Sequence, residues 1–383
     1  MALKVAARAA VEPFRAMDVL ARANALAAAG RDILHLEVGQ PSAPPPPAAV
    51  AAAQACLASG RIGYTDALGL PALRQAVAGH YREVYGLEVD PGRVAVTAGS
   101  SGGFLLAFLA AFDPGDRVAL AAPGYPAYRN LLLALGLEPI FLPTTAAQNF
   151  QPTPAQIAGF EGRLDGLIVA SPSNPTGTML TGPELRALAA ACRDRGVRLV
   201  SDEIYHGITF EALAESLADE PQAIVANSFS KYYCMAGWRL GWLVLPEDLV
   251  RPVERLAQSL FISASELSQA AGLAALGARP ELDRVVAGYA ENRRLLVEGL
   301  PRLGLGGFRP SQGAFYLYLD VGHLTNDSSA FCARLLEEAG IAATPGPDFD
   351  PAEGKRSLRL SFAGQRSTVE AALQRLGDWL ERR

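Results

Sequence analysis

The sequence predicts an α/β protein: a large domain whose mostly parallel sheet is sandwiched by helices, followed by a smaller α/β C-terminal domain. Short apolar runs alternate with helical stretches at Arg93–Thr97, Arg117–Ala121, Gly166–Ala170, Val197–Ser201, Ala223–Asn227 and Leu240–Leu245. Near-continuous apolar runs of this length are typical of strands buried on both faces. Strand-like runs at Ala314–Asp320 and Ser357–Phe362, with a helical pattern over 328–339 between them, predict the second, smaller unit.

The segment before the first strand is predicted to be an arm. Residues 5–30 show the spacing of an amphipathic helix that ends at Gly30. The run Pro41–Pro47 contains five prolines and can form neither a helix nor a central strand, so it predicts a stiff connector. We therefore expect an arm and connector over residues 1–47, a large domain over 48–280, and a small domain over 281–383 that packs with the arm.

Composition excludes several classes of function. The 383 residues are 50% hydrophobic and 19% charged, with a net charge of −5 and no basic stripe, which disfavours a nucleic-acid partner. The longest apolar run, Gly103–Phe112, is shorter than the ~20 residues of a membrane-spanning helix. Charged residues interrupt the N-terminal segment, so we expect no secretory signal, no membrane partner and a cytoplasmic protein.

No metal site or disulfide is predicted. The four cysteines, Cys56, Cys192, Cys234 and Cys332, lie far apart and form no CxxC pair. The four histidines show no spacing that would place two ligands on one helical face. A reducing compartment and structural cysteines fit this pattern.

Polar clusters follow five of the predicted strands directly. They are Gly99–Gly103, Pro123–Pro126, Ser171–Gly177, Asp202–Tyr205 and Ser228–Lys231. In open α/β sheets, ligands bind beyond the carboxyl ends of the strands. We therefore expect the five loops to converge on one crevice.

Lysine is rare in this sequence. It occurs only at Lys4, Lys231 and Lys355, whereas Lys and Arg together number 34. Lys231 lies in an apolar segment punctuated by Gly and Ser, where an arginine would serve if a positive charge alone were needed. An amine, unlike a guanidinium, can lose its proton near neutrality and condense with an aldehyde. The sequence therefore indicates a chemical role for Lys231.

Together, the clusters predict a cofactor that carries a phosphate, an aldehyde and a basic ring nitrogen, which describes pyridoxal 5′-phosphate (PLP). The expected ligands of the phosphate are Ser100, Ser101, Gly102, Ser228 and Arg239. We expect Lys231 to hold the aldehyde as a Schiff base and Asp202 to pair with the ring nitrogen. Asn174 and Tyr205 are expected to donate to the phenolate oxygen, and Tyr125 to stack on the ring face. Lys231, Asp202 and Tyr205 are the predicted catalytic residues.

Three motifs carry a resemblance to a known family. Ser171–Gly177 reads SPSNPTG, Ser201–Tyr205 reads SDEIY, and Ser228–Gly241 contains SFSK and GWRLG. From Gly39 to Arg359 the chain resembles fold-type I PLP enzymes of the class I/II aminotransferase group. The resemblance implies that Arg359 binds the substrate α-carboxylate with Asn174 and the backbone of Gly39.

The same resemblance implies an assembly and a reaction. Tyr64 resembles a tyrosine that reaches the cofactor phosphate of a neighbouring subunit, which implies a homodimer with shared active sites. The expected reaction moves the amino group of an L-amino acid to a 2-oxo acid by a ping-pong mechanism. Ser101 stands where an aspartate-preferring branch of the family has a lysine, which disfavours aspartate unless an arginine of a neighbouring subunit compensates. The apolar arm favours neutral or aromatic substrates.

Two alternatives remain open. A C–S β-lyase would use the same residues to eliminate a sulfur leaving group, and fold alone does not distinguish it from a transaminase. A PLP-sensing regulator would need a DNA-binding domain before the first motif, for which the residues ahead of Gly39 leave too little room. The sequence does not identify the amino donor or acceptor.

Overall fold

The computed structural model describes residues 3–382, over which the chain forms twelve α-helices and twelve β-strands. The helices are α1 (Arg15–Ala28), α2 (Pro47–Ala58), α3 (Pro71–Tyr85), α4 (Gly99–Ala111), α5 (Pro126–Leu135), α6 (Pro154–Ala158), α7 (Gly182–Asp194), α8 (Glu247–Leu260), α9 (Glu266–Leu276), α10 (Arg279–Gly299), α11 (Ser328–Ala339) and α12 (Arg366–Glu381). The strands are β1 (Leu34–His35), β2 (Val94–Thr97), β3 (Arg117–Ala122), β4 (Glu138–Pro143), β5 (Gly166–Ala170), β6 (Arg198–Asp202), β7 (Ile224–Ser228), β8 (Gly241–Val244), β9 (Tyr316–Asp320), β10 (Ile341–Ala342), β11 (Thr344–Pro345) and β12 (Ser357–Ser361).

Seven strands form the large sheet, in the order β2-β8-β7-β6-β5-β3-β4. Only β8 runs antiparallel to its neighbours, β2 and β7. The other six strands therefore share one direction, and the predicted fold class is confirmed. Because parallel strands end at the same edge, the loops after β2, β3, β5, β6 and β7 meet there.

Helices cover both faces of this sheet. In β5, Leu167 and Val169 belong to one apolar cluster and Ile168 belongs to another, because successive side chains of a strand point to opposite faces. All three side chains are buried. This explains why the strands read as continuous apolar runs.

The edge strand β4 was not predicted. It contains Pro139 and Pro143, which usually argue against a strand since proline cannot donate to the ladder. An edge position tolerates them, because β4 pairs only with β3.

A second sheet, of order β11-β12-β9, is antiparallel and lies in the C-terminal part of the chain. The arm joins this part: β1 pairs with β10, and α1 packs against β10 and β11. The second sheet and the arm therefore lie together in the structure. The boundaries at residues 47 and 280 remain predictions.

The expected helix over residues 5–30 is wrong for its first third. A short 3₁₀ turn spans Ala7–Ala9, and α1 begins only at Arg15. Pro13 accounts for the difference, because it disfavours helical backbone in the residue before it and lacks an amide donor. The apolar run at Gly103–Phe112 lies mostly in α4, and no helix within residues 3–382 is long and apolar enough to cross a bilayer.

Candidate active site

A cavity of about 240 Å³ lies at the edge where the parallel strands end. It brings together most of the predicted site residues: Gly39, Ser100, Ser101, Tyr125, Asn174, Asp202, Tyr205, Lys231, Arg239 and Arg359. These side chains come from both sheets and from the segment after β1. Several loops therefore converge on one crevice, as the sequence predicts.

Lys231 follows β7, and its side chain lines the cavity. Its Nζ donates a hydrogen bond to the carbonyl oxygen of Gly39 at 2.7 Å and lies 5.9 Å from the centre of the Tyr205 ring. Burial, together with the positive charges of Arg359 and Arg239, lowers the pKa of Lys231 to about 8. A substantial fraction of this amine is therefore neutral, and hence nucleophilic, near neutral pH.

Asp202 is the last residue of β6 and is only 4% exposed. Its carboxylate accepts hydrogen bonds from the hydroxyl of Tyr128 and from the backbone N–H of Ile204, the latter at 3.1 Å. Burial raises the pKa of Asp202 to about 6, although both hydrogen bonds oppose the rise. The side chain therefore remains mostly ionised at neutral pH and can hold a proton on a partner nitrogen.

Tyr128 is a site residue that the sequence analysis missed. It lies on α5, three positions after Tyr125, which is the N-cap residue of that helix, and the two ring centroids are 5.2 Å apart. That spacing was a usable signal, because Tyr125 had already been assigned to the site. Tyr128 is buried and supports Asp202 from behind.

The first turn of α4 forms a cradle for an anion. Ser100 and Ser101 line the cavity there, where the amide groups of the helix start lack intrahelical partners. Gly99 has a φ of +71°, and a Cβ at this position would come within 2.5 Å of Nη2 of Arg239. Only glycine lets the guanidinium approach the helix start this closely.

Two residues assigned to this cradle lie behind it. Ser228 does not line the cavity; its hydroxyl donates to the carbonyl of Leu240 at 3.1 Å and pairs with the hydroxyl of Ser230 at 2.8 Å. Ser230 lines the cavity instead. A Cβ at Gly102 would face Ala98 and Phe261, so this residue also lies outside the lining.

Arg359 lies on β12 and is 2% exposed. Its Nη1 donates to Oδ1 of Asn174 at 2.8 Å, and its Nη2 donates to the carbonyl of Glu37. The rings of Tyr316 and Phe349 lie 4.3 and 4.8 Å from its Cζ. Nε of Arg359 is buried and has no hydrogen-bond partner among residues 3–382. The guanidinium is thus held rigidly with donor capacity to spare for a carboxylate.

Three tyrosines and one glycine shape the cavity. The hydroxyl of Tyr205 pairs with that of Tyr316 at 2.8 Å, and burial raises the pKa of both groups. Burial also raises the pKa of Tyr125 to about 12. All three hydroxyls therefore stay protonated near neutral pH and can donate hydrogen bonds. A Cβ at Gly39 would collide with the hydroxyl of Tyr316, so the backbone approach requires glycine there.

An apolar wall faces these polar groups. It consists of Phe14, Met17 and Val38, which come from the arm. The ring of Phe14 meets that of Tyr125 edge-on, with centroids 5.8 Å apart. Sequence analysis expected the arm to present an apolar surface but did not identify these residues.

Tyr64 stands apart from the other predicted residues. Its side chain is 82% exposed and does not line the cavity of its own chain. The loop that carries it is fixed by hydrogen bonds from Gly63 N to the Glu266 carboxylate at 2.7 Å and from Thr65 N to the Ser263 hydroxyl at 3.2 Å.

The sequence profile of the family described as aminotransferase class I and II matches residues 31–376. The chain belongs to this aminotransferase family. Valine–pyruvate aminotransferase of Mycobacterium tuberculosis is 48% identical to it, over 98% of each chain.

Solved aminotransferase structures agree in fold. The crystal structure of an aminotransferase from Mycobacterium tuberculosis covers all of both chains with a TM-score of 0.97 and 47% identity. Aspartate aminotransferase from Thermus thermophilus with maleate covers 98% of this chain and 100% of its own, with a TM-score of 0.92 and 32% identity.

This aminotransferase is therefore an enzyme of the predicted class, and its family is PLP-dependent in general. The expected reaction type, transamination, is confirmed by these relatives. The relatives give no support to the alternative of a C–S β-lyase.

Proposed function

We propose that this aminotransferase binds PLP through Lys231 and transfers the amino group of neutral aliphatic L-amino acids to a short 2-oxo acid. One observation carries the proposal. A buried amine, on Lys231, and a buried guanidinium, on Arg359, share one cavity, and neither is paired with a carboxylate among the described residues. An amine without a carboxylate partner can react with an aldehyde, and a guanidinium without one can bind the carboxylate of a substrate.

The residues present fit PLP by their chemistry. The cradle of Ser100, Ser101 and Arg239 suits a phosphate, and the absence of a Cβ at Gly99 keeps it open. Asp202 offers a buried carboxylate to the ring nitrogen. The hydroxyl of Tyr205 can donate to the phenolate oxygen, and the ring of Tyr125 can stack on the cofactor. Asn174 fits the same role, because its Oδ1 already accepts from Arg359 and its amide NH₂ remains available.

Ser228 and Gly102 support the cradle in this proposal without lining it. The hydroxyl of Ser228 accepts a hydrogen bond from the backbone N–H of Ser230 at 3.0 Å and so orients the segment that leads to Lys231. Gly102 leaves room beside Ala98, the N-cap residue of α4, because a Cβ at position 102 would lie 3.3 Å from the Cβ of Ala98.

When bound, PLP supplies an aldehyde that takes up the amino group and a conjugated ring that withdraws electrons from the substrate α-carbon. Arg359 binds the α-carboxylate and so orients the α-carbon toward Lys231. Nζ of Lys231 accepts the α-proton as a general base and then donates it within the cavity as a general acid. Asp202 keeps a proton on the ring nitrogen, because its buried negative charge favours the protonated form.

Ping-pong kinetics follow from the single carboxylate site. The amino acid and the 2-oxo acid both carry one α-carboxylate, and Arg359 offers the same guanidinium to each. The two substrates must therefore bind in turn. The backbone of Gly39 lies at the same place, because its carbonyl oxygen accepts a hydrogen bond from Nζ of Lys231.

The wall of Phe14, Met17 and Val38 supports neutral substrates. Besides Arg359, Arg239 is the lining arginine among the described residues, and it lies at the phosphate cradle. Among the described residues of this chain, a second substrate carboxylate would have no cation to pair with when it leaves water, which is costly. The name of the 48% identical relative, valine–pyruvate aminotransferase, agrees with a branched aliphatic donor and a short acceptor.

Tyr64 supports a homodimer with shared active sites. The side chain of Tyr64 is exposed and does not line the cavity of its own chain, although hydrogen bonds to Glu266 and Ser263 hold its loop in place. A tyrosine presented in this way can complete the phosphate cradle of a second copy.

A donor panel tests the proposed substrate class. With pyruvate as acceptor, we expect valine, leucine and 2-aminobutyrate to react with kcat/KM at least about tenfold above that of aspartate, because aspartate must bury a second charge. Coupled detection of alanine gives the rates. Aspartate as the preferred donor would contradict the proposal, and release of ammonia from cystathionine without an acceptor would indicate a lyase.

A further inference from the structure

We propose that Asp348 is a positioning residue that selects substrate side chains by holding the start of α1 over the cavity. The inference rests on the proposed function, because it concerns the apolar wall of the same site. Asp348 does not line the cavity and has no part in the chemistry described above.

The sequence of α1 does not supply its own cap. Phe14 occupies the N-cap position and has no side-chain oxygen to accept from the free amides of the first turn. The carboxylate of Asp348 does so instead: Oδ1 accepts from the N–H of Arg15 at 3.0 Å, and Oδ2 accepts from the N–H of Ala16 at 3.2 Å. A carboxylate at this end of a helix also interacts favourably with the helix dipole.

This borrowed cap has a consequence for the active site. A serine or aspartate at position 14 would cap the helix but would place a polar group in the cavity wall. Because Asp348 provides the cap, position 14 carries a phenyl ring, and the first turn presents Phe14 and Met17 to the cavity. Asp348 therefore caps α1, Phe14 and Met17 line the cavity, and the position of these two side chains depends on the cap.

The same short segment also fixes Arg359. In the β11–β12 pair, Thr344 lies opposite Arg359, and the turn Gly346–Asp348 follows β11 directly. Phe349 packs its ring 4.8 Å from Cζ of Arg359. The spacing between the carboxylate site and the apolar wall is thus set by one piece of backbone, and that spacing determines which side-chain lengths fit.

Burial makes this contact effective. Asp348 is 1% exposed, so water competes little for its hydrogen bonds to the two amides. A second anchor, from Asn130 Nδ2 to the carbonyl of Glu12 at 2.9 Å, is solvent-exposed. We therefore expect the position of Phe14 and Met17 to depend chiefly on Asp348.

The test follows the first half-reaction in the holoenzyme, with one amino acid at a time and no 2-oxo acid, by the change in cofactor absorbance. In Asp348→Ala, we expect the half-saturating concentration of valine and leucine to rise at least about tenfold, and that of alanine less than about twofold. The maximal rate should stay within about twofold, because the substitution removes no hydrogen bond of Lys231 or Arg359. Asp348→Asn keeps one acceptor and should lie between the two.

Asp350→Ala is the matched control. Asp350 lies in the same loop and caps the amides of Ala352 and Glu353, at 3.1 and 3.0 Å, without contacting α1. Its half-saturating concentrations should equal those of the unmodified enzyme. Adding Met17→Ala to Asp348→Ala should bring little further loss for leucine, since the two changes affect one wall.

Amide hydrogen exchange gives an independent outcome. The amides of Arg15 and Ala16 should lose protection in Asp348→Ala, whereas those of the large sheet should not. Equal changes for alanine and leucine, or unchanged exchange at these two amides, would overturn the role of Asp348. Failure of the unmodified enzyme to react with any neutral amino acid would overturn the proposed function instead, and hydrogen exchange would still decide whether Asp348 positions α1.

Discussion

We expect Lys231→Arg to reduce the rate of both half-reactions by at least about 10⁴-fold. Proton transfer by a positioned side chain is alone worth about 10²–10⁴-fold, and the covalent bond to the aldehyde adds to it. Arginine keeps the positive charge but cannot lose its proton, whereas burial lowers the pKa of Lys231 to about 8. Single-turnover mixing of the cofactor-loaded variant with valine measures the loss.

Lys355→Arg is the matched control for this substitution. Lys355 is exposed and lies outside the cavity, so the same chemical change should leave the rate within about twofold of the unmodified enzyme. A Lys231→Arg enzyme that retained more than about 1% of the activity would contradict the role of Lys231.

We expect Asp202→Asn to lower the rate of the first half-reaction by roughly 150- to 5,000-fold. The estimate follows from the cost of removing one charge of a buried pair, about 3–5 kcal/mol. Asparagine keeps the shape of the side chain but not the negative charge that holds a proton on the ring nitrogen. The decrease should appear in the maximal rate more than in half-saturation by valine, because Asp202 does not bind the α-carboxylate.

Glu203→Gln provides the comparison. Glu203 is buried beside Asp202, but its carboxylate accepts from the Ser216 hydroxyl at 2.6 Å and the Leu217 amide at 2.9 Å, and it does not line the cavity. Its replacement should lower the free energy of unfolding while leaving the half-reaction rate within about threefold. If both variants lost the same fraction of activity, the effect of Asp202 would be general destabilisation and not loss of the ring-nitrogen partner.

The sequence was most informative where strand direction fixes the position of a loop. Asp202 ends β6 and Lys231 follows β7, so the parallel sheet alone brings their side chains to one edge. Local apolar pattern predicted those strands, because both faces of the sheet are buried. The role of Arg359 came instead from the family resemblance, because Arg359 lies on β12 of the second sheet.

Contacts between distant segments were not predictable in this way. The cap of α1 by Asp348 joins residues more than 300 positions apart, and no local pattern encodes it. The same holds for the wall that Phe14 and Met17 form with Val38. These contacts depend on how the arm packs on the second sheet, which only the assembled structure reveals.

Neighbouring residues of similar chemistry were also hard to separate. Ser228 and Ser230 both follow the fifth parallel strand predicted from the sequence, yet only Ser230 lines the cavity while Ser228 supports it. Periodicity gives the direction of alternate side chains within a strand but not beyond its end. Tyr128 could be found from its spacing of three residues from Tyr125, whereas no spacing in the sequence distinguishes Ser230 from Ser228.

Borohydride reduction of the cofactor-loaded enzyme, followed by peptide mass analysis, tests the covalent attachment most directly. The account predicts that one reduced cofactor is fixed to the peptide containing Lys231, that its absorbance shifts on reduction, and that Lys231→Arg carries no label. Label on Lys4 or Lys355, or enzyme that binds the cofactor without any reducible bond to Lys231, would contradict it.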